Sequence, residues 1–300
     1  MAARDAQIVE VSARDGIQNE KTILFTPDKL ELIGRAHAAG LRRMEVASFV
    51  NPRRVPQMGD ADEVCAGLPD DVRPGAIGLV LNERGFERAA AAELPEINVV
   101  VVASDTFSQR NQGCTTEEGI AAFGAIRARA PSDMRVGVTV AASFGCPFEG
   151  EMPVARLAHV IEACAAHAPD EMALADTIGV ATPRDVTERI ARAREATDAP
   201  LRLHFHNTRG TGLANAWAGL EAGVHTLDAS IGGVGGCPFA PRATGNIATE
   251  DLVYMLERAG VSTGVDLDAV IRAAEWLEER LGIRAPGAVM RAGGFPAMAA

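Results

Sequence analysis

The stretch that decides the fold begins with Leu-Arg-Leu-His-Phe-His-Asn-Thr-Arg-Gly (residues 201–210), includes Gly-Gly-Val-Gly-Gly-Cys-Pro-Phe-Ala (residues 232–240) and runs to Asn246. His204 and His206 alternate within an apolar run, and residues two apart in a strand point to the same side. Two imidazoles on one face of a strand are half of a metal site. The alternative is a pair of structural histidines that are hydrogen-bonded at a strand end.

The composition is typical of a globular protein with a large core, since 47% of the 300 residues are hydrophobic and 23% are charged. A net charge of −11, with no basic run longer than a doublet, argues against a nucleic-acid partner. No apolar run reaches the roughly 18 residues of a membrane span, and no signal peptide is visible, so we expect a cytoplasmic protein without membrane contact. The five cysteines lack C-x-x-C spacing, which favours free thiols.

Short apolar runs alternate with helical patterns eight times along the chain, which is the organisation of a (β/α)8 TIM barrel. A doubly wound sheet is the alternative, but the glycine string at residues 232–236 lacks the G-x-G-x-x-G spacing. We predict a single catalytic domain, residues 1–300, with the barrel at residues 7–260 and a helix and tail at residues 261–300. The predicted strands are residues 8–12, 43–47, 76–81, 97–103, 135–142, 172–174, 201–206 and 226–230.

The predicted helices have recognisable first turns. Thr-Pro pairs that start at Thr26 and at Thr182 place a capping hydroxyl before a first-turn proline. Thr115 with Glu118 forms a capping box. An additional helix is expected after the barrel, at residues 266–282.

Functional residues of such a barrel are expected at the carboxyl ends of its strands. Polar side chains gather at those ends of the predicted strands and hardly anywhere else in them. These residues are Arg14, Asp15, Glu45, Ser48, Ser104, Asp105, Ser143, Asp176, Thr177, His204, His206 and Cys237.

This convergence favours a metal site over structural histidines. Asp15 would supply a carboxylate, His204 and His206 two nitrogens, and Asn246 a carbonyl oxygen. Mixed oxygen and nitrogen ligands without a thiolate favour Mg²⁺ or Mn²⁺, while Zn²⁺, Co²⁺ and Fe²⁺ also fit. The two-histidine, one-carboxylate iron site of oxygenases is an alternative, and Asp15 could instead cap the turn at Gly16.

Two cysteines and one arginine complete the candidates. Cys237 lies between glycines and a proline, outside any helix or strand pattern, which favours a reactive loop thiol. Cys146 is similarly placed, and composition does not decide between the two. Arg14 is either a salt-bridge partner of Asp15 or a cation for a developing oxyanion, and beside a metal ligand we favour the second role.

Six motifs stand out along the chain: Arg-Asp-Gly-Ile-Gln-Asn-Glu-Lys at 14–21, the segment 45–58, Asp-Thr-Ile-Gly-Val at 176–180, His-x-His, Gly-Gly-Cys-Pro-Phe-Ala and the segment 245–256. Over residues 8–265 these motifs resemble those of the 3-hydroxy-3-methylglutaryl-CoA (HMG-CoA) lyase family. Isopropylmalate and homocitrate synthases belong to the same wider group but lack the Gly-Gly-Cys-Pro loop.

The resemblance implies a divalent-metal enzyme, with Mg²⁺ or Mn²⁺, that cleaves the CoA thioester HMG-CoA into acetyl-CoA and acetoacetate, as in leucine degradation. A homo-oligomer is a separate expectation, which the residues themselves do not decide. The resemblance also implies Asp15, His204, His206 and Asn246 as metal ligands, Cys237 as the catalytic thiol, and Arg14 as the group that stabilises the enolate. Glu45 would orient Arg14 or the metal site, and His204, Asp15 and Cys237 are the available proton carriers. The residues expected at the substrate are Arg14, Gln18, Ser48, Asp176 and Thr177.

One departure stands out, because Asn207 replaces the aspartate that familiar members carry after the second histidine. We expect weaker support of the metal site, and with it lower catalytic competence or a less strict choice of substrate.

The alternatives to cleavage of HMG-CoA are cleavage of a related branched 3-hydroxyacyl-CoA, a catalytically silent binding protein, and an acetyl-CoA-condensing synthase.

Overall fold

The computed structural model describes residues 4–236 and 245–295. Eight parallel strands, each paired with the next in chain order and the last with the first, close into one barrel. This architecture confirms the predicted (β/α)8 TIM barrel. The strands are β1 (Gln7–Glu10), β2 (Arg43–Ser48), β3 (Ala76–Val80), β4 (Glu96–Val102), β5 (Arg135–Ala141), β6 (Glu171–Asp176), β7 (Leu201–Phe205) and β8 (Thr226–Ala229).

At least one helix follows every strand. The helix expected after the barrel is α10, which packs against α1. Among the described residues, no helix is long and apolar enough to cross a membrane. The helices are α1 (Thr26–Ala38), α2 (Ala61–Ala66), α3 (Glu83–Ala91), α4 (Asp105–Asn111), α5 (Thr116–Arg129), α6 (Val154–Ala165), α7 (Pro183–Ala196), α8 (Gly212–Glu221), α9 (Thr249–Arg258), α10 (Leu267–Leu281) and α11 (Val289–Ala292).

The predicted helix starts hold with one exception. Thr115 forms its capping box with Glu118, and Thr182 forms one with the third residue of α7. The capping role predicted for Thr26 is wrong. Thr26 is the first residue of α1, and its hydroxyl donates to Asp60 Oδ2 at 2.8 Å.

Alternation along β7 separates an apolar outer face from a polar inner face. In β7, Leu203 and Phe205 belong to the apolar core between strands and helices. α8 packs so closely on this face that a Cβ at Gly219 would collide with Leu203. Arg202 and His204 lie on the other face, where Arg202 reaches carboxylates from three other strands. These partners place Arg202 inside the barrel.

The expectation that polar side chains hardly occur away from the strand ends is therefore wrong. The strand predicted at residues 172–174 is longer at both ends, because Glu171 and Asp176 are buried strand residues that an apolar pattern does not count. For the same reason β4 begins at Glu96 rather than at residue 97. The buried polar strand residues away from the carboxyl ends are Arg43, Glu45, Glu96, Asn98, Glu171, Arg202 and Asp228.

Two buried carboxyl groups, those of Glu10 and Glu250, accept hydrogen bonds from residues that follow β8. Glu10 accepts hydrogen bonds from the Ile231 backbone N–H at 3.0 Å and from the Thr249 hydroxyl at 2.6 Å. Glu250 accepts one from the Gly232 N–H at 3.0 Å. Burial, with few compensating partners, raises the pKa of Glu250 to about 8. Glu250 is therefore protonated in the folded protein at neutral pH.

We predict that Glu250→Gln removes part of the pH dependence of stability. In the folded state the Glu250 pKa lies above its unfolded value, so between about pH 5 and about pH 8 only the unfolded chain has lost this proton. The wild type should therefore lose up to ~1.4 kcal/mol of unfolding free energy per pH unit relative to the variant. Chemical denaturation at several pH values measures the difference. Glu257→Gln, an exposed change on the same helix, is the control, and parallel curves for wild type and Glu250→Gln would refute the prediction.

Candidate metal centre and active site

Three donor groups meet at the carboxyl ends of β1 and β7. Asp15 lies in the π-helical turn Ser12–Gly16 that follows β1, His204 lies in β7, and His206 follows directly after it. One ligand atom from each of the three residues lies within 4.8 Å of the others. The two histidine Nε2 atoms are 3.1 Å apart, and Asp15 Oδ2 lies 3.9 Å and 3.8 Å from them. The structure thus brings the three predicted ligands together.

The hydrogen bonds of His204 fix which nitrogen faces the centre. Its Nδ1 lies 3.1 Å from Asp228 Oδ2, so Nδ1 carries the proton that it donates to this carboxylate. The Nε2 lone pair then points toward Asp15 and His206. Burial opposes a charge on His204, but the hydrogen bond to Asp228 and the charges of Asp15 and Asp228 outweigh it and raise its pKa. The carboxylates of Asp15 and Asp228 therefore stabilise a positive charge at the centre, whether a proton or a metal ion carries it.

Asp15 is held in its ionised form. Burial opposes ionisation, but the Arg14 guanidinium and the two histidines hold the Asp15 pKa well below its usual range. Its Oδ2 also accepts a hydrogen bond from Asn246 Nδ2 at 2.8 Å. An ionised carboxylate beside two imidazole lone pairs is a donor set that binds divalent cations.

Asn246, the fourth predicted ligand, lies beside the other three. Its backbone pairs with that of His206 in an isolated antiparallel β-bridge. Its side-chain Nδ2 donates to Asp15 Oδ2 and, at 3.1 Å, to the Val234 carbonyl. These bonds leave the side-chain carbonyl oxygen as the atom with which Asn246 could bind a cation. Gly235, at φ = +102°, passes so close that a Cβ there would lie 2.7 Å from Gly16 Cα and 2.9 Å from Asn246 Nδ2. The glycine is needed for this approach.

Arg14 is held in one orientation at the edge of the centre. Its Nε donates to Glu45 Oε2 at 2.6 Å, its Nη2 donates to the same oxygen, and its Nη1 donates to Asp15 Oδ1 at 2.6 Å. The salt bridge to Asp15 and the second predicted role are compatible, because a guanidinium has five N–H groups and two remain for a substrate oxygen. Glu45 is itself held by Asn98 Nδ2 at 3.0 Å and by Arg202 Nη2 at 3.3 Å.

The charges inside the barrel fit a divalent cation. Three arginines (Arg14, Arg43 and Arg202) and five acidic residues (Asp15, Glu45, Glu96, Glu171 and Asp228) form one connected set of ion pairs from the barrel bottom to Asp15, which we call the charge column. With neutral histidines the column carries a net charge of −2. Arg135, whose side chain is half exposed, pairs with Glu96 at the barrel bottom and helps to lower the pKa of Glu171, but solvent screens its charge, so it is not counted in the column. Because uncompensated buried charge is costly, a divalent cation at Asp15 would balance the column.

The four other residues expected at the substrate divide into two pairs. Gln18 Oε1 and Ser48 Oγ are buried and have no hydrogen-bond partner among the described residues. Both could therefore accept a hydrogen bond from a ligand. Asp176 accepts the backbone N–H groups of Val180 and Ala181 at 2.9 Å each, and Thr177 Oγ1 accepts that of Ala142 at 2.9 Å. The second pair thus shapes the loops after β5 and β6.

The two loop cysteines differ in what can be described. Cys237 lies outside the described residues. Cys146 is buried, with its Sγ 2.9 Å from Ser104 Oγ and 3.4 Å from the backbone nitrogens of Phe148 and Glu149. Cys146 is therefore a packed thiol of its loop.

Asn207 lies in the loop between β7 and α8. Its Oδ1 accepts the Gly212 N–H at 3.0 Å, and its own N–H donates to the Gly245 carbonyl at 2.8 Å. An aspartate could accept the same bond from Gly212, so the substitution changes a charge near His206 without removing this acceptor.

Sequence reasoning missed Arg202 and Asp228. A usable signal existed for Arg202, because it precedes His204 by two residues and must share its face of β7. Asp228 is the one charged residue of the strand Thr-Leu-Asp-Ala, and a charge in a buried strand needs a partner, which is a second usable signal.

We predict that Asp15→Ala weakens Mn²⁺ binding by ~10-fold or more, because it removes the only carboxylate of the described donor set. Isothermal titration of the metal-free protein with MnCl₂ measures the affinity. Asp105→Ala, which removes a carboxylate next to the end of β4 without histidine neighbours, is the matched control. Unchanged Mn²⁺ affinity in Asp15→Ala would remove Asp15 from the ligand set.

Comparisons with known proteins show the family to which the chain belongs. The HMGL-like family model matches residues 5–277. The chain is 43% identical to (R)-citramalyl-CoA lyase of Chloroflexus aurantiacus, over 95% of this chain and 94% of that protein. It is 40% identical to hydroxymethylglutaryl-CoA lyase of Pseudomonas mevalonii, over 92% of each chain.

A solved structure shows the same architecture. The HMG-CoA lyase of Acinetobacter baumannii, solved in complex with coenzyme A and 3-methylmalate, superposes with a TM-score of 0.93 at 38% identity. The match covers 99% of this chain and 97% of that chain. The family resemblance seen in the sequence motifs is thereby confirmed, and the chain belongs to the HMGL-like family of lyases.

Proposed function

We propose that the chain is a divalent-metal-dependent carbon–carbon lyase that cleaves HMG-CoA into acetyl-CoA and acetoacetate, a step of leucine degradation. The observation that carries the proposal is the cluster of Asp15, His204 and His206 beside the fixed guanidinium of Arg14. A retro-Claisen cleavage needs these two positive sites, one at the alcohol that loses its proton and one at the enolate that forms.

The reaction has a simple electron balance. The tertiary hydroxyl loses its proton and becomes the ketone of acetoacetate. The carbon–carbon bond breaks, and its electron pair passes to the thioester as an enolate. A proton delivered to the enolate carbon then gives acetyl-CoA. A bound divalent cation would act as a Lewis acid toward the hydroxyl and carboxylate oxygens of the substrate.

The described residues account for the positioning. Asp15, His204, His206 and the Asn246 carbonyl would hold the cation. The two remaining N–H groups of Arg14 would bind the thioester oxygen, where the enolate charge develops. Gln18 Oε1 and Ser48 Oγ would bind polar groups of the substrate, while Asp176 and Thr177 would act through the loops that they hold.

We assign delivery of the proton to Cys237. Asp15 is a weak proton carrier because its pKa lies well below the usual range, and His204 would use its Nε2 lone pair for the metal. The third carrier is Cys237, which the family resemblance implies as the catalytic thiol, and the assignment rests on that resemblance.

A second substrate is favoured by the relative from Chloroflexus aurantiacus, an (R)-citramalyl-CoA lyase at 43% identity. Citramalyl-CoA has one methylene fewer between its tertiary alcohol and its carboxylate, so its cleavage gives acetyl-CoA and pyruvate. The metal cluster and Arg14 would serve both reactions. The space and the polar partners offered to the carboxylate would decide between the two substrates.

The products distinguish the two substrates. We expect acetoacetate from HMG-CoA in the presence of Mg²⁺ or Mn²⁺, and loss of activity with a chelator. Acetoacetate is measured with 3-hydroxybutyrate dehydrogenase and NADH, and pyruvate from (R)-citramalyl-CoA with lactate dehydrogenase and NADH. A higher kcat/KM for citramalyl-CoA would reassign the substrate. No product from either thioester at millimolar metal would refute the proposal.

We predict that Cys237→Ala lowers kcat by ~100-fold or more, since general acid catalysis typically contributes factors of this size. Steady-state kinetics with the preferred thioester measure the loss. Cys146→Ala is the matched control, because it removes a buried thiol from the other Gly-Cys-Pro-Phe sequence of the chain. Near-wild-type kcat in Cys237→Ala would show that Cys237 is not catalytic.

A further inference from the structure

Arg202 lies at the centre of the charge column, below the metal cluster. It is 2% exposed, on the same face of β7 as His204. Its Nη2 donates to Glu45 Oε1 at 3.3 Å, and its Nε lies 3.4 Å from Glu171 Oε2 and 3.5 Å from Asp228 Oδ1. One buried guanidinium therefore contacts three carboxylates from three different strands, by a hydrogen bond to Glu45 and by ion pairs without hydrogen-bond geometry to Glu171 and Asp228.

Two of these carboxylates face Arg202 with one oxygen and the active site with the other. Asp228 turns Oδ1 to Arg202 and Oδ2 to His204 Nδ1, at 3.1 Å. Glu45 turns Oε1 to Arg202 and Oε2 to Arg14, at 2.6 Å. Arg202 thus lies behind His204, a proposed metal ligand, on one side and behind Arg14, the proposed enolate-binding group, on the other.

The shape of the side chain suits this double contact. A planar guanidinium offers donors in several fixed directions, whereas a lysine ammonium is a single charge on a flexible stem. Without Arg202, Glu45 and Asp228 would face each other across the buried interior with no cation between them. Each carboxylate would then turn toward other partners, and the groups that it orients would move with it.

We propose that Arg202 is a positioning residue that orients His204 for the metal through Asp228, and Arg14 for the substrate through Glu45. The second half of this inference rests on the proposed lyase function, whereas the first half concerns metal binding alone. Arg202 does not contact the proposed metal ligands or the substrate directly. Its effect therefore has to pass through the carboxylates of Glu45 and Asp228.

Arg43 provides the matched comparison. It is a buried arginine of the same column, and it pairs with Glu96 and Glu171 at the barrel bottom. Neither of these acids contacts Asp15, His204, His206 or Arg14 in the described structure. A purely structural role for buried arginines predicts equal effects at both positions, and positioning predicts unequal ones.

The test measures Mn²⁺ affinity of the metal-free variants Arg202→Met and Arg43→Met, from the electron paramagnetic resonance signal of free Mn²⁺. We expect an increase in Kd of ~10-fold for Arg202→Met, the size seen when partners behind metal ligands are removed, and less than twofold for Arg43→Met. Equal weakening in both variants, or no weakening in Arg202→Met, overturns the proposal. Circular dichroism confirms that the compared proteins are folded.

Arg202→Lys and Asp228→Asn keep the test decisive if Arg202→Met does not fold. Each should weaken Mn²⁺ binding, because lysine cannot contact both carboxylates and asparagine lacks the charge that orients His204. Because Arg202 acts on His204 through Asp228, the double variant Arg202→Lys/Asp228→Asn should bind Mn²⁺ about as weakly as Asp228→Asn alone. Fully additive effects would exclude this route.

Kinetics at saturating Mn²⁺ test the Arg14 side. Arg202→Met, or Arg202→Lys in its place, should lower kcat with little change in KM, since metal loading no longer limits the variant. An unchanged kcat overturns the part of the proposal that runs through Glu45. If the wild type cleaves neither thioester, the proposed function fails, and the comparison of Mn²⁺ affinities still decides the role of Arg202.

Discussion

The charge column inside the barrel is the constraint on which the rest of the site depends. TIM-barrel interiors are commonly filled by branched apolar side chains, yet here arginines and carboxylates form a connected set from Arg43 to Asp15. Such a set is tolerable only when its charges nearly balance. With neutral histidines the set carries two surplus negative charges, and a divalent cation beside Asp15 and the two histidine nitrogens would complete the balance.

The same column contacts the groups that we propose for catalysis. Glu45 and Asp228 each pair with Arg202 and reach upward to Arg14 and His204, so the groups proposed for enolate and metal rest on one guanidinium. This arrangement suits a reaction that needs two positive sites held at a fixed separation, because side chains that are already oriented pay little to reorganise.

The sequence was enough to predict the barrel, because outward-facing strand residues are apolar and helices separate the strands. Asp15, His204, His206 and Asn246 were also predictable, since strand ends converge at one face of a barrel. Arg202 and Asp228 were missed because charged residues are usually exposed, and only the fold shows that four strands bring them and their partners together. Thr26 was misassigned because its hydroxyl bonds Asp60, a residue distant in sequence.

Anomalous diffraction from a crystal soaked in MnCl₂ tests the central claim most directly, namely that a divalent cation at the end of the column balances its charge. The account predicts one strong peak between Asp15, His204 and His206, within ligand distance of all three. A peak elsewhere, or none between these residues at full Mn²⁺ loading, would contradict it.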